Sequence, residues 1–329
     1  MDVDGSPQHD AELWFDDGNL VIQAGNSQFL VHRGILSARS PVFKDMLSFP
    51  QPPDSELVEG RPLVRFPDSE KEVAVFLKAI FVPEFFRPFP FPTKFDIIVG
   101  VLRLSHKYGV EYLRRRALIH LSSAFHTELA KHDKTDSDSV NAQSSALDSR
   151  TWTWPKERTY LIVATQLARE VGATWVLPHV LYNLSTWFKE MLPKILTSFD
   201  HAHQVTFLQG HSIQAESTSV EIVKFISDGP DGCGNPDCAE GRLSALRIWH
   251  ETIIPQTFDP LYVWARGQDS WELLDEELCM CSSCLTSLKQ ANQAARQTFW
   301  DKLPEIYGLP AWEELEKLKV EAIGTDWLS

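Results

Sequence analysis

An α+β fold is predicted for roughly the first 126 residues and a mostly α-helical one for the rest, on three observations. Leu20-Val21-Ile22 and Phe29-Leu30-Val31 are short apolar, β-rich runs around Gly25-Asn26-Ser27, the pattern of two strands joined by a tight turn. Further along, apolar residues recur at the 3.6-residue period of helices buried on one face. All five cysteines, at 233, 238, 279, 281 and 284, fall in the second half, so the two parts carry different chemistry.

A chain of 329 residues with 43% hydrophobic content is long enough for two domains, each burying its own core. The net charge is −14, with 14 Lys+Arg against 16 Asp+Glu in residues 1–125, which leaves 17 against 29 for the remainder. The acidity therefore belongs to the second half. Binding a nucleic-acid duplex needs a basic face that displaces counterions from phosphates. The one basic run, Arg114-Arg115-Arg116, reads as the solvated face of a helix whose inner face is Leu113, Ala117 and Leu121, so direct nucleic-acid binding is not expected. The N-terminus MDVDGSPQHD lacks the features of a signal peptide, and no stretch reaches 18 apolar residues. The expectation is a soluble protein of the cytoplasm, the nucleus or both, with no membrane partner.

In chain order, residues 11–19 read as a lead-in with Trp14 and Phe15 in the core, ending in Asp16-Asp17-Gly18-Asn19 turn chemistry. Ser40 followed by Pro41 is an N-cap with proline at the first helical position. His32 follows a strand with no metal-ligand spacing around it, and reads as a structural histidine. Residues 48–62, with four prolines and several acids, read as an irregular loop; Leu63–Phe66 is a further strand. Ser69 and Glu72 suggest a capping box for a helix with Val73, Phe76, Leu77 and Ile80 inward. The segment Phe81–Pro92 alternates proline with phenylalanine and reads as a connector whose rings cover the core. Thr93 is placed as the cap of a helix ended by Gly109, and a second helix spans Glu111–Phe125. Residues 131–150 are rich in Ser and Asp without periodicity, which makes 127–155 a disordered linker. Helices follow from Tyr160 to a stop at Gly172, from Trp175 to Met191, and at 194–208, 241–252, 285–303 and 311–321. Ten of the eleven tryptophans lie beyond residue 150, which implies an aromatic core for residues 156–329.

Cys233-Gly-Asn-Pro-Asp-Cys238 and Cys281-Ser-Ser-Cys284 are C-x4-C and C-x2-C turns about forty residues apart. Two such turns supply the four soft ligands of a tetrahedral, structural Zn2+ site, and Cys279 is a spare. Buried inert thiols and a redox or nucleophilic role are the other readings of the same residues. A zinc-dependent enzyme would use Cys279, His211 or His250 beside the metal. Four thiolates instead suit a closed site, and no H-E-x-x-H, nucleophile elbow or phosphate-cradling loop is present, so no catalytic residue is assigned.

Phe29, His32, Arg33, Leu36, Ser40, Pro41, Phe43, Met46 and Leu47, with Lys107-Tyr108-Gly109-Val110, stand in an order and spacing that resembles the BTB/POZ domain. The whole arrangement, with its C-terminal cysteine pairs, looks like BTB-domain proteins of mushroom-forming fungi. The resemblance implies a small sheet flanked by helices over residues 11–126, and a non-enzymatic protein-interaction role. It further implies an adaptor for a cullin-type ubiquitin ligase, in which the BTB face docks the cullin and residues 156–329 hold a client. Leu57-Val58-Glu59 then stands where such adaptors carry a hydrophobic-x-acid element. The short segment before the first strand argues against a BTB-type homodimer. A transcriptional cofactor acting through a protein partner is the alternative.

Overall fold

The computed structural model describes residues 7–49, 56–134, 152–153, 155, 157–227, 233–248, 259–261 and 280–325. A five-stranded mixed sheet opens the molecule. Strands β2 (Leu20–Ala24) and β3 (Ser27–Val31) form the expected antiparallel hairpin, with Leu20 opposite Val31 and Ala24 opposite Ser27. Gly25 takes φ +53, the conformation this two-residue turn requires. Strand β1 (Gln8–Trp14) pairs parallel to β3, where sequence places only a lead-in. Its buried residue is Leu13, whereas Trp14 stacks on His9 at 3.5 Å. Strand β5 (Arg61–Phe66) pairs parallel to β2, and β4 (Leu57–Val58) folds back on β5, giving the order β1-β3-β2-β5-β4. The loop expected to be irregular thus contributes an edge strand.

Helices α1 (Arg33–Arg39) and α2 (Pro41–Ser48) follow the hairpin. Ser40 accepts the N–H of Phe43 at 2.9 Å and donates to the carbonyl of Tyr108, so one hydroxyl caps α2 and ties it to the far end of the domain. Phe43 stacks on Tyr108 at 4.8 Å, and Tyr108 on Phe66 at 5.0 Å. The phenol of Tyr108 donates to Asp68 at 2.5 Å. Gly109 takes φ +65, and a Cβ there would meet Pro41 and Val42 at 3.5 Å. The residues that carry the sequence signature therefore form one packed knot.

Helix α3 (Glu70–Phe81) begins at Ser69 as read from sequence, but Ser69 makes no side-chain cap. The capping-box partner Glu72 is drawn instead to Arg103, which also binds Glu170 at 2.9 Å. Phe86 is buried and Phe85 and Phe89 pack against the core, so this connector covers the core as expected, leaving Phe91 exposed. Thr93-Lys94 pair with Trp152-Thr153 as a short parallel ladder, and helix α4 (Phe95–Lys107) has Lys94, with no side-chain cap, at the N-cap position where sequence places Thr93. Helix α5 (Glu111–Ser122) buries Leu113, Ala117 and Leu121. Its arginines are only partly a solvated face: Arg115 is exposed, Arg114 and Arg116 are half-buried. Arg114, Arg115 and Arg116 donate to the carbonyls of Val171, Ile323 and Phe86 respectively, three segments that α5 holds together.

Residues 127–134, which composition assigns to a linker, are packed on the second half. The indole of Trp300 donates to the Thr127 carbonyl at 3.2 Å, Lys319 donates to the Thr127 hydroxyl at 2.9 Å, and Arg296 pairs with Asp133. The remainder of that stretch, 135–150, lies outside the described residues. The second half is helical: Tyr160–Glu170, Leu177–Thr186, Phe188–Ser198, His201–Ser227, Pro236–Ile248, Ser282–Ile306 and Trp312–Ile323. The helix read from Trp175 to Met191 is interrupted at Trp187, where Arg158 sits 3.3 Å over the indole. Trp175, Trp300, Tyr182, Tyr307 and Phe207 are fully buried and form the aromatic core expected there. That core is not separate. A single cluster of buried apolar side chains runs from Leu13 to Ile323, and Trp175 donates to Ser122 across the junction at 2.9 Å. Among the described residues, no helix is long and apolar enough to cross a membrane.

Candidate functional site

Both cysteine pairs sit where a helix begins. Pro236 starts the helix Pro236–Ile248, and Asn235 turns the chain into it, its side chain accepting the Asp237 N–H at 3.0 Å and its carbonyl the Cys238 N–H at 3.2 Å. Cys238 thus lies in the first turn, with Cys233 just before it. Cys281 is the N-cap of the helix Ser282–Ile306, and Cys284 lies in its first turn. The positive ends of two helix dipoles therefore meet at the sulfurs, an arrangement that favours thiolate.

The Sγ atoms of Cys233, Cys238, Cys281 and Cys284 all lie within 4.8 Å of one another, and the four are free thiols. Cys238 and Cys284 are buried, while Cys233 is exposed and Cys281 half-buried, so each pair contributes one inner and one outer sulfur. The N–H of Cys281 donates to Cys238 Sγ at 3.2 Å. The N–H of Cys284 donates to the Cys281 thiol and lowers it to about 7, whereas burial pushes Cys284 up to about 12. A metal about 2.3 Å from each of four sulfurs requires sulfur pairs about 3.8 Å apart, inside the observed limit. The four could hold one metal ion. Among the described residues this is the only group of three or more His, Cys, Asp or Glu side chains close enough to hold one.

His211 takes no part in that cluster. It stacks on Phe188 at 3.7 Å with Nδ1 2.7 Å from Ser185 Oγ, and burial lowers its pKa to about 4, so it is a neutral, packed imidazole. His250 and Cys279 lie outside the described residues. His32 stands at the N-cap position of α1 without a side-chain cap, its ring 5.4 Å from that of Phe15 and 6.4 Å from that of Phe81, and Nε2 3.4 Å from Asp17.

Leu57-Val58-Glu59 forms one arm and the tip of the β4–β5 hairpin. Glu59 at φ +50 and Gly60 at φ +76 make the two-residue turn, and Arg61 pins it, pairing with Glu59 at 3.3 Å and donating to the carbonyl of Gly18 at 3.0 Å. Leu57 is left 58% exposed. Sequence reasoning missed further apolar exposure at Ile35, Val42, Phe49 and Tyr112, with Arg39 set 5.4 Å from the Tyr112 ring. Such residues on amphipathic helices read as core until their neighbours are known. Arg242, whose guanidinium reaches 3.9 Å from Cys284 Sγ, was also missed; its position one turn beyond Cys238 is the available signal.

A family model for the BTB/POZ domain matches residues 14–79, which span β2 to α3 and contain the knot around Ser40 and Phe43. No curated protein and no solved structure matches the chain. Residues 14–79 are thus a BTB/POZ domain, a module that mediates protein–protein contact.

Proposed function

We propose that the protein is a non-enzymatic adaptor that docks a cullin-type scaffold through its BTB/POZ domain and presents a client through the helical second half. The observation that carries this reading is the BTB/POZ match, together with exposed apolar side chains on α1, α2 and the hairpin tip of that domain and on α5, which follows the matched residues. Exposed Ile35, Val42 and Tyr112 beside Arg39 have the composition of an interface core, where aromatic and aliphatic anchors accompany arginine. Leu57 and Val58, with Glu59 at the rigid tip, supply the hydrophobic-x-acid element. Because one core runs through both halves, the test uses the full chain. Immobilised protein should bind a cullin N-terminal region, and Val42→Asp with Leu57→Asp should weaken binding at least about tenfold, as expected for interface anchors. No binding by the unaltered chain at high micromolar concentration would overturn the cullin reading. A protein-linked transcriptional cofactor then remains, tested by nuclear accumulation without DNA affinity.

The four cysteines serve this adaptor as a structural Zn2+ site, the use that fits four thiols of mixed burial at two helix starts. The likeness to fungal BTB proteins with paired C-terminal cysteines belongs to the same reading. Metal analysis of the purified chain should find one zinc per molecule.

A further inference from the structure

Four thiolates around a divalent ion leave a net charge of −2, which is costly to keep partly out of water unless cationic or N–H donors face the sulfurs. Two main-chain N–H groups do so, from Cys281 and Cys284. A third donor is Arg242. It lies on the helix Pro236–Ile248 one turn beyond Cys238, its side chain is half-buried, and Nη1 points at Cys284 Sγ from 3.9 Å. Among the described residues Arg242 makes no ion pair with a carboxylate; Asp237 and Glu240 of the same helix stand five and two residues before it, spacings that turn them away from it. A half-buried guanidinium aimed at the buried Cys284 sulfur is placed for the charge of that cluster.

We propose that Arg242 is a positioning residue for the metal: its fixed positive charge offsets the tetrathiolate and holds Cys284 in the geometry that closes the site. This rests on the zinc reading above. The guanidinium also covers Cys284, so the ion should leave by way of Cys233 and Cys281, the two outer sulfurs.

The test titrates full-length protein with Co2+ and measures Zn2+ retention against a chromophoric chelator, for the unaltered chain, Arg242→Met and Arg242→Lys. Met keeps the apolar stem and removes the charge; Lys keeps a charge without the fork. The unaltered chain should show the thiolate-to-Co2+ absorption of four sulfurs. Arg242→Met should keep that spectrum and lose zinc about tenfold more readily, the lower end of what partners beyond the ligands contribute. Arg242→Lys should recover most of the difference. If the unaltered chain gives no thiolate–Co2+ band, the zinc reading itself falls. If the band is present and Arg242→Met retains zinc as well as the unaltered chain, only the role of Arg242 falls. The same holds if the Lys variant is as weak as the Met variant, because charge would then not be what matters.

Discussion

Around Ser40 the fold is closed by partners the chain itself provides, whereas around Cys284 four thiols converge on a space that the proposed Zn2+ would close. Ser40 reaches both Phe43 and Tyr108, and Tyr108 reaches Asp68, across up to 68 residues of chain. The cysteine pairs also bridge a long separation, yet their sulfurs face each other with two N–H groups and one guanidinium among them. Thiols brought this close gain little from one another, so on the zinc reading proposed above the second arrangement depends on what it binds and the first does not. The difference predicts that the two regions fail under different insults.

The largest expected effect is metal removal. A strong chelator, or Cys284→Ser, should speed amide hydrogen exchange in 233–248 and 281–290 by more than about tenfold, because metal binding there is folding free energy. Exchange in β2, β3 and α2 should stay as it was. If those strands loosen equally, the contrast between the two regions is wrong.

Phe43→Ala is the converse experiment. Phe43 is fully buried among Phe66, Phe76 and Tyr108, and truncating it should cost about 3–5 kcal/mol in a denaturant titration. Since a single core joins Leu13 to Ile323, one transition should shift as a whole, seen equally by tryptophan fluorescence from the second half and by far-ultraviolet circular dichroism. Two separated transitions would show that the halves fold independently.

Acid should act at the junction between the regions. His179 accepts the N–H of His126 on Nδ1 at 2.8 Å, so its proton is on Nε2, which lies 3.1 Å from Nδ1 of His132. Burial lowers all three, His126 and His132 to about 4. The unfolded chain, with histidines near 6.5, takes up protons first as pH falls. Stability conferred by these neutral imidazoles is therefore complete above about pH 6.5 and is lost as pH drops toward about 4. Urea midpoints should fall steadily from pH 7 to 5, on the order of a few kcal/mol in total. A flat profile over that range would remove the histidine cluster from the account.

Much of this was legible in the sequence where local chemistry decides. The Gly25-Asn26 turn, Ser40-Pro41, Gly109 and Gly172 announce themselves, since each residue type meets a backbone need at its own position. The convergence of the four cysteines was legible as well, because two short thiol-bearing turns at this spacing are built to meet. What escaped was decided at long range. Arg114, Arg115 and Arg116 look like a solvated run until the carbonyls of Val171, Ile323 and Phe86 are brought to them. Residues 127–134 look like linker until Trp300 and Lys319 arrive from over 170 residues away. Strand β1 has polar residues along most of its length and shows no alternation, because only Leu13 faces the core.

The two serine caps turn that lesson into the smallest and sharpest prediction. Ser40 and Ser69 both precede a helix, and sequence reads both as caps, Ser40 with proline after it and Ser69 with an acidic partner three residues on. In the structure Ser40 Oγ accepts the Phe43 N–H, while Ser69 offers its hydroxyl to no N–H of α3. Glu72 cannot complete the box because Arg103 holds its carboxylate, and Arg103 in turn is fixed by Glu170 of the second half. A tertiary ion pair has thus overridden a local cap. Ser40→Ala should then cost about 1–2 kcal/mol, since a cap and a buried bond to Tyr108 are lost together. Ser69→Ala should cost less than about 0.5 kcal/mol. Adding Arg103→Met should free Glu72 to reach back, so that Ser69→Ala becomes costly in that background by about 0.5–1 kcal/mol. If Ser69→Ala costs as much as Ser40→Ala in the unaltered chain, the cap at Ser69 is formed in solution and the ion pair does not displace it.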